Sequence, residues 1–427
     1  FDFPKMNLQT TRETLLKFVN EEDYGIKFPE DINLQANAKG KIDDLLAQLD
    51  LQTDMGNILL DGGFQNDGQI AFDAILKVEQ LQLGNLMKQP ELDTLTFEIK
   101  AKGSGASLNE LNAELTSTFE RLKLYGSDYS GLNLEGKIVD GNGNLSAGLD
   151  SEFLDFDLLT NFELDSTNST VALNLDLKGA DFYELGLSEQ PSRARLQLVA
   201  NFQGNFDEFT LTSKVQDAVL IYDGRNYPVG TMALDANVSE DSTSVDIASR
   251  LINGYISTNT NPTDLTTALS SHFRQYIDKS DSVYSSGDRN IVMNMDLKIA
   301  DDPLLTEVLL QGLEQFDSAR IQTTYIQNID SLTADINFPY INYSGTEVDS
   351  LGLRIRSNKE ELRLYFGFQN LTSGPLDLDK TFLTGQLADS RLFFDFQMKT
   401  SPCYSGISGC PRLPVYSIQR RLLPEEK

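Results

Sequence analysis

The stretch VALNLDLKG, residues 171–179, places Val171, Leu173, Leu175 and Leu177 at every second position, with Ala172, Asn174, Asp176 and Lys178 between them. Successive side chains of a strand point to opposite faces, so this spacing gives one apolar side and one wet side. ARLQLVANF, 194–202, repeats the pattern with Leu196, Leu198, Ala200 and Phe202, and TMALDANV, 231–238, with Met232, Leu234, Ala236 and Val238. It returns in IVMNMDLKI, 291–299, as Ile291, Met293, Met295, Leu297 and Ile299. ELRLYFGF, 361–368, carries Leu362, Leu364, Phe366 and Phe368, and RLFFDFQMK, 391–399, carries Leu392, Phe394, Phe396 and Met398. Strands covered on both faces read as continuous apolar runs, whereas one-sided alternation belongs to antiparallel sheets. The intervals hold turn formers, as in DGNGN at 140–144 and DGRN at 223–226, which supply residues that accept positive φ.

Two phrases recur. A Gly, a short acidic or Asn-bearing stretch and an apolar residue follow strands at KGKIDDL (39–45), KGSGASLNEL (102–111), KGADFYEL (178–185) and FQGNFDEFTLT (202–212). A strand ending in Tyr plus a turn recurs at Tyr125–Gly126, Tyr222–Asp223–Gly224 and Tyr343–Ser344–Gly345, each followed by two more strands. The spacing is uneven, so these are degenerate repeats rather than a solenoid of fixed period. Helical spacing appears in 10–23 (Leu15, Leu16, Phe18, Val19), in 261–280 (Leu265, Leu269, Phe273, Ile277, capped by Thr263 or Asp264) and most clearly in 301–319. There Pro303 follows Asp302, and Leu304, Leu305, Val308, Leu309, Leu313 and Phe316 recur at helical intervals.

Lys and Arg number 35 against 64 Asp and Glu, a net charge of −29. Such a surface repels nucleic-acid backbones, so no nucleic-acid partner is expected. The lone His272 has no Cys beside it to build a structural metal site and reads as a surface or half-buried helix residue. No GxSxG or phosphate-cradling loop occurs. Acid pairs such as Asp43–Asp44 and Asp207–Glu208 read as wet turns, and DGNGN lacks the calcium-loop pattern. The chain therefore reads as a non-enzyme without cofactors. Cys403 and Cys410, in CYSGISGC, are a possible disulfide or two free thiols. No stretch approaches 18 apolar residues, the length of a spanning helix. The start, FDFPKMNLQ, reads as the interior of something longer.

The lead-in phrase, the LxLxG strands, the Tyr-turn meander and DDPLLTEVLLQGLEQFDSARIQTTYIQN at 301–328 resemble the TamB-like, AsmA-like periplasmic proteins. The likeness covers about 30–400 and is to a middle section of the large form found in Bacteroidota-type bacteria. It implies a translocation and assembly module: a taco-like groove that carries phospholipids from inner to outer membrane and supports outer-membrane biogenesis. It implies an inner-membrane anchor upstream, a periplasmic location and an outer-membrane barrel partner of TamA or BamA type. No catalytic residues carry over. The matching positions are the inward strand residues Leu173, Leu175, Leu177, Leu196, Leu198, Phe202, Met232, Leu234, Met293, Met295, Leu297, Leu362, Leu364, Phe366, Phe394 and Phe396, which are expected to line the groove.

The fold expected is all-β: an elongated, curved, mainly antiparallel β-sheet groove of degenerate repeats with a few short helices. The expected divisions are a lead-in at 1–30, groove repeats at 31–260, a helix-strand-helix insertion at 261–320, more groove at 321–400 and an irregular tail at 401–427. Two other functions fit the pattern. One is a structural or assembly factor for outer-membrane proteins with a filled core. The other is an extracellular adhesin that binds glycans through Tyr and Asp at turn tips.

Overall fold

The computed structural model describes residues 2–41, 43–89, 91–124, 126–277, 290–388, 390–398 and 416–422. Tyr125, Cys403 and Cys410 lie outside the described residues. The fold is all-β, mainly antiparallel, with short helices. The chain divides into two units: Phe1–Asn205 with Ser213–Pro228, and Phe206–Thr212 with Val229–Lys427.

The first unit is a meander. From Asp2–Thr11 to Ser192–Gly204, each strand pairs antiparallel with the next in the chain, apart from the two-residue strand Ser127–Asp128, which sits beside Asn112–Leu124. Twelve strands pair this way, which at the usual strand spacing makes a sheet roughly 50 Å across. Short connections suffice because each strand needs only to reverse. The Asp140–Gly141 turn takes φ of +47° and +75°, and both central residues are left-handed, the twist that matches a hairpin.

Bulges interrupt the ladders where the alternation slips. Val78 pairs with Phe97 but Leu81, three residues on, pairs with Leu95, and Gln80 between them has φ of +51°. Leu177 pairs with Leu196, and Ala180 with Ala194. Each bulge absorbs one residue, so that the next apolar side chain returns to the face of the last, and each bends its strand.

The second unit is also a meander, running from the part of strand Arg225–Val238 that begins at Val229 to Tyr416–Leu422. The segment expected to be an irregular tail thus contains a strand, Tyr416–Leu422, paired with Arg391–Met398. The Ser344–Gly345 turn has φ of +49° and +76°. Among the described residues no pairing closes either sheet into a barrel.

The helices differ from expectation in two places. Residues 10–23 form no amphipathic helix. The first strand runs through Thr11, and two one-turn helices follow, Arg12–Leu15 and Glu21–Tyr24. Phe18, assigned to an apolar face, is exposed. The two turns are tied by Glu21, whose carboxylate accepts from Arg12 at 2.7 and 3.1 Å and from the Phe28 amide at 2.8 Å. Those bonds, Arg12 first, hold its pKa down at about 2.

The helix expected at 301–319 is the second departure. Only Leu304–Leu309 turns helically, and Leu313–Phe316 is a strand paired with Ile341–Tyr343. The turn ends at Leu310, which is already out of helical geometry at φ of −125°, and Gly312, at φ of +97°, leads into the strand. Helix Pro262–Ile277 does form. Its cap is Asn261, whose Oδ1 accepts the Asp264 amide at 2.8 Å, with Pro262 in the first turn, rather than Thr263 or Asp264.

Gly254 shows how close the backbones run. A Cβ there would meet the Asp296 carbonyl oxygen at 2.0 Å, whereas one on Gly179 would meet nothing within 4 Å. Gly254→Ala is expected to destabilise by about 1–3 kcal/mol, and Gly179→Ala to change stability by less than about 0.5 kcal/mol. Urea unfolding midpoints check both, and equal midpoints for the two variants would contradict the register.

Candidate functional site

Residues paired across antiparallel strands share a face, so the registers reveal what each face carries. One rung of the first unit runs Met6, Ala36, Leu49, Leu60, Leu76 and Ile99, strand by strand. It continues through Ser117, Leu134, Ala147, Leu158, Leu175 and Leu198. Twelve strands contribute, and Ser117 is the one polar member. The neighbouring rung begins Leu8, Leu34, Leu51, Ile58, Val78, Phe97 and Phe119. The Phe97 and Phe119 rings lie 5.3 Å apart.

On the other side of the first rung lies a row of small residues, Ala38, Ala47, Gly62, Ala74 and Ala101, each opposite the next. Beyond it stand Leu45, Phe64 and Phe72. Large side chains on both flanks of a small row make a furrow that crosses the strands. Its flanking rows are four residues apart, about 13 Å at the rise of a strand.

Burial distinguishes the two faces. Along Ser192–Gly204 the residues Ala194, Leu196, Leu198, Ala200 and Phe202 are half-buried, and Arg195, Gln197, Val199, Asn201 and Gln203 are exposed. The same half-burial marks Leu49, Leu60, Leu76, Ile99, Leu134 and Leu158. A second sheet packed on this face would have interdigitated with it and buried these side chains fully. Neighbours on a curved sheet shield one another sideways and leave their tips open.

The opposite face is wet and charged. Lys178 bonds Asp157 at 2.7 Å and Asp155 at 3.2 Å, which hold its ammonium above the usual range. Lys137 bonds Glu114 at 2.8 Å, and Arg356 grips Asp335 through two contacts of 2.7 and 2.8 Å. Exposed pairs of this kind are worth little individually, so the apolar face and the ladders hold the sheet. Shallow depressions on the wet side are lined by groups such as Asn174, Asp176 and Gln197.

The second unit repeats the rung: Leu234, Ile247, Gly254, Leu297, Ile321 and Ile336, then Leu353, Phe366, Leu383 and Phe396. Here the face is covered at both strand ends. Helix Pro262–Ile277 sets Leu265, Ala268 and Leu269 against Ile291, Met293, Tyr325 and Leu332. At the other end Leu305, Leu313 and Phe316 pack with Ile299, Ala319 and Phe338. The rung between these covers is half-buried at Leu234, Ile247, Leu297, Ile321, Ile336 and Leu353.

The expected lining residues fall as follows. Leu173, Leu175, Leu177, Leu196, Leu198 and Phe202 share the apolar face of the first unit and are half-buried. Leu234, Met295, Leu297, Leu362, Leu364, Phe394 and Phe396 hold the equivalent places in the second unit. Met293 is on that face but 6% exposed, enclosed by the helix. Phe366 is in the rung and 40% exposed, and Met232, two residues before Leu234, is equally open. The sequence reading missed Leu49, Leu60, Leu134 and Leu158, because Leu46, Leu59, Ile75 and Leu159 on the wet face blur the alternation around them. Only the cross-strand registers separate the two sets.

No family model, curated protein or solved structure matches the chain.

An aspartate placed on an open face keeps its water, and one placed in a closed core does not. Leu198→Asp is expected to fold at a cost of about 1–3 kcal/mol, Val199→Asp to cost under about 0.5 kcal/mol, and Met293→Asp to cost about 4 kcal/mol. Urea titrations followed by circular dichroism measure all three. If Leu198→Asp is as damaging as Met293→Asp, the face is interlocked rather than open.

Proposed function

We propose that the chain is a non-enzymatic lipid conductor, a trough along which phospholipid acyl chains lie on the apolar face while headgroups stay in water. The observation that carries this reading is a rung over twelve strands, apolar except at Ser117, whose leucines and isoleucine are half-buried, short of the full burial that a second layer would give. Hydrocarbon gains about 0.8 kcal/mol per CH₂ when fully withdrawn from water, and a one-sided trough recovers about half of that. The gain is spread evenly along the rung, and the rung offers almost no positioned hydrogen bonds, so a chain can slide without a deep well. Met295 adds a flexible side chain to the half-buried face of the second unit.

The TamB-like resemblance gives this reading its setting. The chain would work in the periplasm, attached to the inner membrane through a segment outside this sequence. It would supply phospholipid toward the outer membrane and its biogenesis, with a TamA- or BamA-type barrel as partner. A structural assembly factor with a filled core accounts less well for the half-burial of the first unit.

Native mass spectrometry tests the proposal. After incubation with vesicles of phosphatidylethanolamine and phosphatidylglycerol, the chain is expected to carry adducts of phospholipid mass that delipidation removes. Leu175→Asp, provided that it folds, should carry at least about tenfold fewer, since an unpaired charge would lie in the lining. Equal loading of the folded variant, or no loading of the native chain, rules the reading out.

A further inference from the structure

The one histidine of the chain lies on the buried stripe Ala268–His272–Tyr276 of the helix that covers the second unit's sheet. His272, on helix Pro262–Ile277, is 3% exposed. Its Nε2 is 2.8 Å from Ser357 Oγ, and its Nδ1 is 3.2 Å from the amide nitrogen of Gln275. The partners place the protons. An amide nitrogen donates, so Nδ1 accepts and carries no hydrogen. Nε2 then holds the ring proton and donates it to Ser357 Oγ. That oxygen also accepts the Leu332 backbone N–H at 2.7 Å and donates its own proton to the Asp330 carbonyl oxygen at 3.2 Å. One turn on, the Tyr276 hydroxyl donates to the Asn358 carbonyl oxygen at 2.6 Å.

This network is complete with a neutral imidazole and has no place for a second proton. A hydrogen on Nδ1 would face the N–H of Gln275. Turning the Gln275 amide over would offer its oxygen, but would set that oxygen against the Asp330 carboxylate, 3.4 Å from the present nitrogen. The rings of Tyr276 and Tyr325 pack edge-on against the imidazole at 5.4 and 5.2 Å.

The surrounding charges do not rescue the imidazolium. Asp330 favours it, but burial outweighs Asp330 and pushes His272 below its ordinary 6.5. Burial likewise holds both tyrosines neutral, Tyr325 pushed up to about 12. Arg356, beside Ser357, is engaged by Asp335, and Glu361, past the turn, bonds Arg363. Lys359 and Glu360 follow Asn358 in that turn, and Arg274 neighbours His272 on the helix.

We infer that helix Pro262–Ile277 is an acid-released cover: with His272 neutral it is latched over the apolar face of the second unit, and protonation of the ring frees it to uncover Met293, Tyr325 and Leu332. The consequence, more open apolar face for an acyl chain, rests on the trough reading; the latch itself does not. Because the folded ring binds its proton less readily than the unfolded one, docking is fully favoured above pH 6.5 and is lost as pH falls through the lower, folded value.

Hydrogen exchange read by mass spectrometry on the whole chain at pH 7.5 and 5.0, corrected for intrinsic rates, tests the latch. Amides of 265–277 should lose at least about tenfold in protection at pH 5.0, while those of Ser192–Gly204 hold theirs. His272→Gln, which can donate to Ser357 but cannot take up a proton, should keep the helix protected at both values. Equal protection of the native helix at the two pH values overturns the latch, and so does an undiminished pH response in the folded Gln variant. The native comparison decides even if that variant misfolds. A fluorescent fatty acid in the same buffers separates the two proposals: helix release without a gain in probe binding leaves the latch standing and counts against the trough.

Discussion

The structure depends on keeping phase. A strand has a side-chain period of two, and a slip of one residue sends its whole apolar set to the wrong face. Twelve consecutive strands of the first unit nevertheless keep Leu, Ile, Phe and Ala on one side. The bulges make this possible. VEQL, 78–81, and LKGA, 177–180, each hold one residue too many for strict alternation. In a regular ladder Leu81 and Ala180 would turn outward. The extra residue is looped out of register instead, the apolar side chain returns to its face, and the strand gains a bend. The correction of phase and the curvature of the sheet thus have the same cause.

A phased sheet creates a second constraint, because one large apolar face must be shielded. The two units meet it differently. In the second, a helix and the turn Leu304–Leu309 stand at opposite ends of the face and complete two small cores among the described residues. In the first, the described residues supply only short helices, and the apolar side chains remain half-buried. The difference lies in the connections. Tight turns such as Asp140–Gly141 carry no side chains that could fold back over the sheet, whereas the connection after Thr258 carries a full helix and the one after Ile299 a turn and a strand.

Most of the strands were legible because alternation is a local signal. Ser169–Asp181 and Ser192–Gly204 sit where VALNLDLKG and ARLQLVANF put them. What was not legible depends on distant partners. The spacing of Leu304, Leu305, Val308 and Leu309 suits a helix, but Leu313 and Phe316 are claimed by Ile341–Tyr343, about thirty residues away, once the turn has ended at Leu310. His272 looked ordinary on its helix, since its burial is imposed by Ser357, 85 residues on. The furrow of Ala38, Ala47, Gly62, Ala74 and Ala101 was equally hidden: each residue is unremarkable alone, and only five successive registers align them.

The charge of the chain bears on what can occupy the open face. An apolar face spread over twelve strands invites a cover, and the simplest would be the same face of a second copy. The net charge of −29 opposes that. Acids on the wet face outnumber the cations that pair with them, and two copies brought face to face would bring both surpluses within a sheet's thickness of each other, where salt screens them only in part. A slender uncharged hydrocarbon incurs no such repulsion. The same alternation that makes one side greasy makes the other acidic, and the acidic side opposes pairing of the greasy side with its own kind.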